Sequence, residues 1–238
     1  MRTTAQILAA VDAVAGSARS LPELLCDDCA THLGLVGAGI ALMNDTGHQG
    51  VVGASDALTA RLEELQFELG EGPGLDASRD NAPILRSDLG ARGSATWPVF
   101  GPVAVAAGVS AVFALPLQVG AVRLGSLCLY RSAPGSLGVE GTATALAYAD
   151  AATEVLLRLH AEVAPGSSLH SDLGDMLRLR AEVHQATGFV SVQASVGITE
   201  ALLLLRAHAF AADRPLLDVA RDVLSGRLRI PLQEGEDG

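Results

Sequence analysis

The sequence predicts an α+β protein: an N-terminal antiparallel sheet flanked by helices, followed by an all-α bundle of three helices. Three observations carry this. From residue 20 to 164, apolar runs of strand period alternate with runs of helical period, in the order helix, two strands, helix, strand, helix, two strands, helix. Pro165, Gly166, Ser167 and Ser168 then break the pattern as a linker. Beyond them only helical periodicity remains, through residue 229. The predicted organisation is an N-terminal helix over 1–19, an α/β domain with its connecting helix over 20–164, a helical domain over 165–229 and an acidic tail over 230–238.

The elements follow from local chemistry. A short helix covers 5–15. Ser20, Pro22 and Glu23 open the second with a capping-box spacing, and Gly34 stops it. Its apolar face is Leu25, Cys26, Cys29, Ala30 and Leu33. Residues 39–44 and 49–54 are the arms of a hairpin turned at Asp45, Thr46 and Gly47. A helix over 58–67 presents Leu58, Leu62 and Leu65. Gly70, Gly72 and Gly74 form a tight loop, 75–79 a helical turn and 82–85 a short edge strand. Residues 86–98 read as a polar loop, 99–107 as a helix, and 110–117 with 122–130 as two apolar strands joined around Gly120. A long Ala/Leu-rich helix covers 140–164. In the last third, a helix over 172–194 carries Met176, Leu179, Val183, Ala186 and Val190 on one seam. Gly197 ends it, and a second helix runs from Thr199 to about Ala212. A third has Pro215 in its first turn, Leu216, Val219, Ala220 and Val223 as its apolar face, and Gly226 as its cap.

Composition narrows the function. Of 238 residues 49% are hydrophobic and 3% aromatic, so the core is built from Ala, Val and Leu. There is no lysine, which excludes a Walker A loop, a Schiff base and a kinase-type lysine. Net charge is −11. Residues 1–169 hold 17 acids against 9 arginines, whereas 170–229 hold 7 of each. The helical unit is thus the least acidic part without being basic, and whole-protein charge offers nucleic acid no positive field. Three cysteines and an amphipathic N-terminus with Asp12 in it point to a reducing, cytoplasmic setting. Residues 97–122 are uncharged, but their prolines and glycines exclude a membrane span.

Few residues offer chemistry. Cys26 and Cys29, with His32, lie mid-helix on an apolar face, where packing is favoured over metal or redox work. Cys128 reads as a core cysteine. The Gly70, Gly72, Gly74 loop lacks dinucleotide spacing and reads as a turn needing positive φ, or as a loop lining a pocket. No nucleophile–base pair, metal cluster or cofactor motif stands out, so no enzyme and no cofactor are expected.

The element order, the loop GEGPGLDA over 70–77 and the closing strand pair over 110–131 together resemble a GAF domain across about residues 20–160; the loop is similar to those of actinobacterial regulators. The resemblance implies a ligand-sensing module, usually dimeric through its first and last helices. Gly72, Pro73, Leu75 and Trp97 are the candidate pocket residues for an unidentified small molecule. The last third resembles an ANTAR domain, the three-helix RNA-binding module of transcription antiterminators. Its matching residues are Gln185, Ala186 and Gly188, then Glu200 and Ala201, then Leu204, Leu205, Arg206 and Ala209, then Arg214, Leu216, Asp218, Val219 and Ala220, without a gap over about 45 residues. Two departures stand out: Thr187 and Ala207 occupy positions that are usually basic.

Taken together, the resemblances imply a cytoplasmic, homodimeric antitermination regulator. Its GAF sensor would act through helix 140–164 on a unit binding paired stem-loops in leader transcripts. Arg206, Arg214 and Arg221, with Thr187, are the candidate RNA-binding residues, and His208 the candidate base stacker. Leucines 202–205 cannot all face one core, so Leu202 and Leu203 are candidate dimer contacts, against a helix buried on two sides. The alternative is a ligand-sensing or protein-interaction regulator whose bundle mainly dimerises.

Overall fold

A computed structural model describes residues 2–16, 19–44, 47–162 and 171–230. The linker over 165–168, the turn residues Asp45 and Thr46, the tail beyond Ile230 and the side chains of Met176 and Leu179 lie outside what it describes. The chain forms two compact units, residues 1–169 and 170–238.

The first unit is built on five antiparallel strands in the order β2-β1-β5-β4-β3. They are β1 (Gly37–Asn44), β2 (Gly47–Ala54), β3 (Ile84–Arg86), β4 (Ala111–Val119) and β5 (Val122–Arg131). Helices α2 (Leu21–Leu33) and α7 (Gly138–Glu162) cover one face, and α1 (Thr4–Ala13) packs on both. Helices α3 (Ala57–Leu69), α4 (Pro73–Asp80) and α6 (Phe100–Ala106) occupy the other, with α5 (Leu89–Thr96) against α6.

Strand alternation divides the core. Val112, Ala114, Cys128 and Tyr130 join Leu62, Leu65, Ala77, Trp97 and Phe100 on the α3–α4 side. The alternate residues Phe113, Leu115, Leu127 and Leu129 are equally buried and point to the α2–α7 side. Ala114 stands opposite Cys128 and Gly39 opposite the same cysteine from the other flank, and the β4–β5 register shifts only beyond Leu117, at a bulge before Gln118.

Helix ends are set by side chains. Thr3 with Gln6 and Ser20 with Glu23 form capping boxes, and Asp56 accepts from the Thr59 N–H at the start of α3. Gly34, at φ 60°, closes α2, and Gly70, at φ 70°, closes α3. Residues 89–96, expected within a loop, form α5 instead. Leu89 is buried in the core and its N–H donates to the Ser110 carbonyl at 2.7 Å, so tertiary anchoring overrides the weak propensity of a glycine-containing segment.

The second unit is a bundle in which α8 (Ser171–Ala194), α9 (Ile198–Ala211) and α10 (Leu216–Leu224) each touch the other two. Helix α8 ends at Ser195, at φ 55°, before Gly197 is reached, and α9 turns away from it by 103°. Val183, Ala186 and Val190 of α8 pack with Ala201, Leu205 and Ala209 of α9 and with Leu216, Val219, Ala220 and Val223 of α10; all are buried. Among the described residues no single helix is long and apolar enough to cross a membrane.

The Asp56 cap holds the helix that carries the site described below. Asp56→Ala is expected to lower the unfolding free energy by about 1–2 kcal/mol in urea titration, with the m-value unchanged.

Candidate functional site

The α3–α4 side of the sheet holds a polar cluster inside an Ala/Val/Leu interior. Thr59, Glu63 and Gln66 recur at helical spacing along α3 and are all buried, as are Ser126, Cys128 and Tyr130 along the facing side of β5. The Tyr130 hydroxyl donates to Glu63 Oε1 at 2.7 Å. The Gln66 Nε2 amide donates to Glu63 Oε2 at 3.1 Å and to the Tyr130 hydroxyl at 3.2 Å. Gln66 Oε1 accepts the backbone N–H of Gly74, in the first turn of α4, at 2.8 Å. The Ser126 hydroxyl has no hydrogen-bond partner among the described residues.

Burial pushes the Glu63 carboxyl up to about 7, against hydrogen bonds from Tyr130 and Cys128, while the neighbouring charge of Glu64 adds a smaller upward push. Burial likewise drives the Cys128 thiol and the Tyr130 phenol well above their ordinary ranges, and the Glu63 charge reinforces both shifts.

The glycine loop is explained by this cluster. A Cβ on Gly72, whose φ is 144°, would lie 2.5 Å from Gln66 Cγ. On Gly74 it would lie 2.7 Å from Ser126 Oγ and 2.9 Å from Cys128 Sγ. So Gly72 is needed for both its backbone angle and its space, and Gly74 for space alone. Glu71, just before Gly72, accepts the backbone N–H groups of Val99 and Phe100, both at 2.7 Å, and so ties the loop to the start of α6.

Of the candidate pocket residues, Gly72 and Pro73 stand at the start of α4 beside the cluster. Leu75 packs separately, with Ala41 and Met43. Trp97 is buried against Phe100, edge to face at 6.0 Å, and its Nε1 donates to Asp76 at 2.9 Å. The residues that make the polar contacts, Glu63, Gln66, Ser126 and Tyr130, were not among those singled out. Their signal was present: polar residues at 59, 63 and 66 share one helix face, and alternate residues 126, 128 and 130 carry hydroxyls or a thiol.

In the bundle, Arg214 pairs with Asp222 at 2.7 Å, and Arg227 with the same carboxylate at 2.6 Å, so the two arginines hold Asp222 below the usual carboxylate range. Arg221 pairs with Glu182 at 2.7 Å and approaches Asp218. Arg206 and His208 are half-buried on α9. Thr187 corrects one expectation. Its side chain is buried and its hydroxyl donates to the Val183 carbonyl at 2.8 Å, because position 187 falls on the core face of α8; it offers RNA no contact surface. The leucine run divides: Leu205 is buried, Leu202 and Leu204 are half-buried, and Leu203 is exposed. Phe189 and Phe210, in a chain with five phenylalanines, are also exposed, and neither was singled out. Cys26, Cys29 and Cys128 are free and buried.

No family model matches the chain, and no curated protein matches it by sequence. Solved structures do match. The GAF domain of an Acinetobacter phosphoenolpyruvate-protein phosphotransferase is 9% identical, with a TM-score of 0.50, over 69% of this chain and 95% of that one. The GAF domain of the Coxiella burnetii phosphoenolpyruvate-protein phosphotransferase is 13% identical, also with a TM-score of 0.50, over 67% of this chain and 96% of that one. At such identities the likeness is one of fold: the chain contains a GAF-fold domain.

The Glu63 carboxyl sets a pH dependence of stability. Its pKa is raised in the folded state, so between about 4.5 and about 7 the folded chain holds a proton that the unfolded chain has released. Stability therefore falls as pH rises through that window, by on the order of 3 kcal/mol at the extreme. Glu63→Gln is expected to flatten the fall in urea denaturation at pH 5 and pH 8; parallel curves for the two proteins would refute the assignment.

Proposed function

We propose that the chain is a non-enzymatic, signal-responsive regulator, whose GAF-fold unit senses a small molecule and whose helical unit binds stem-loop RNA as a transcription antiterminator. The sensing half is supported by the fold and by a polar cluster kept inside an otherwise apolar interior. The RNA half is supported by the ANTAR-like spacing and by three mutually packed helices, with the matching apolar residues other than Leu204 buried among them. The single observation that carries it is the convergence of Arg214 and Arg227 on Asp222, a local excess of one positive charge on the bundle surface. Exposed ion pairs of this kind are weak and screened by salt, so an RNA phosphate can displace the carboxylate.

A second reading has its own observation. Leu203 and Phe210 are each 64% exposed and lie two turns apart on the side of α9 away from the core. On that reading the bundle docks a protein surface, a second copy included, and binds RNA weakly. Homodimerisation is part of both readings. It is supported by Val139, Leu146 and Leu157, exposed along one side of α7.

Gel-shift titration against a paired stem-loop RNA at low salt decides between them. On the first reading Arg214→Ala weakens binding about 3- to 10-fold and lowers the slope of log K against log salt by about one unit. If RNA is not bound, and Leu203→Ser with Phe210→Ser converts a dimer to a monomer in light scattering, the second reading replaces the first.

A further inference from the structure

The carboxamide of Gln66 is held as a ligand would be held. Its acceptor end takes an N–H from the first turn of α4, and its donor end faces a carboxylate and a phenol. It is reached from three elements, α3, α4 and β5, and no atom of the cluster is exposed to any extent that lets water replace these contacts. A second observation is independent of Gln66. The Ser126 hydroxyl, fully buried, has no hydrogen-bond partner among the described residues and faces the same turn of α4, where a Cβ on Gly74 would stand 2.7 Å from its oxygen. A buried hydroxyl left unpaired is costly, and native interiors rarely keep one. The pairing is completed if a molecule larger than the Gln66 amide enters.

We propose that this position is a seat for a small, uncharged, planar group with a hydrogen-bond acceptor beside an N–H donor, and that Gln66 occupies it as an internal stand-in. Carboxamides, ureas, lactams and the pairing edge of a nucleobase share that pattern. An anion is disfavoured because it would enter an apolar interior in which Glu63 already needs partners and no arginine belongs to the cluster. An amidinium or ammonium is disfavoured because it offers the Gly74 N–H no acceptor. The inference rests on the small-molecule reading of the GAF-fold unit and deepens it by naming the ligand class. Entry of the ligand expels Gln66 from beneath Gly72 and Gly74. The packing of α3 on the start of α4 then changes with occupancy, which gives the ligand two states to bias. As a tethered group Gln66 has a high effective concentration, so only a ligand making additional contacts, Ser126 among them, displaces it from the intact chain.

Removing the stand-in exposes the seat. In the full chain carrying Gln66→Ala, propionamide at tens of millimolar is expected to raise Tm by about 3 °C, whereas isosteric propionate leaves it unchanged. Wild type responds to neither, and adding Ser126→Ala reduces the propionamide shift severalfold. Should Gln66→Ala be unfolded, refolding that depends on propionamide and not on propionate is the expected result. Equal responses to the amide and the acid, or none, would overturn the seat. A neutral metabolite extract that stabilises wild type while propionamide leaves Gln66→Ala unmoved would also overturn it, and would keep the broader sensing reading intact.

Discussion

The α/β unit depends on satisfying a carboxyl group placed where no water reaches it. Glu63 is packed between α3 and the sheet, in an interior otherwise made of Ala, Val, Leu and a few aromatics. A buried carboxylate without partners is prohibitively costly, and even a paired one is held near neutrality by burial. Tyr130 and Gln66 supply the pairing, and in doing so they fix three relationships. Helix α3 can sit on β5 in only one register. The Gln66 amide must face the start of α4, which brings Gly74 within hydrogen-bond reach. Gly72 and Gly74 can then carry no side chain, because their Cβ positions are already filled. One buried acid thus dictates the composition of a loop seven to eleven residues further on.

The same cluster marks where the sequence could be read and where it could not. Every strand, the capping box at Ser20 and the apolar face of α10 were legible, because each follows from local period or local hydrogen bonding. The glycine loop was legible as a turn. Gly70 and Gly72 do take positive φ, but the reason Gly74 must be glycine is a long-range contact with Ser126 and Cys128 that no local pattern encodes. Glu63 and Gln66 share one helix face in the sequence, but that spacing alone does not say which way the face points. On a helix whose apolar face was drawn through Leu58, Leu62 and Leu65, they read as solvent-facing polar residues, whereas Leu58 is in fact at the surface and the two polar groups are inside. Only the partner strand, with Ser126, Cys128 and Tyr130 alternating toward them, reverses that assignment. Residues 89–96 failed in the opposite direction, becoming helical through an anchor at Leu89 that local propensity does not contain.

In the helical unit the balance is between charge and apolar surface. Arg214, Arg221 and Arg227 each have an acidic partner within the bundle, so these three positions carry little net positive charge. On the RNA reading, affinity at these three positions comes from exchange of one anionic partner for another. That exchange gains little field energy and is strongly reduced by salt. Burial of Thr187 sharpens the point. A lysine there would have to snorkel out from the α8 seam to reach phosphate, whereas threonine satisfies its hydroxyl on the helix backbone and closes the core. Position 187 thus contributes packing and no charge.

Burial of Thr187, set beside the exposure of Leu203 and Phe210, gives the bundle a different balance from a simple phosphate-binding surface. Apolar area on α9 is insensitive to salt, while the arginine contacts are not. As ionic strength rises, the apolar face of α9 therefore keeps its contribution to any association while that of the arginines falls. A stem-loop offers both kinds of surface, stacked or splayed bases as well as phosphates, so the two contributions are not in conflict. On the RNA reading the bundle would then engage its partner through the exposed apolar side of α9, Leu203 and Phe210, as well as through displaced ion pairs, unlike a strongly basic RNA-binding module.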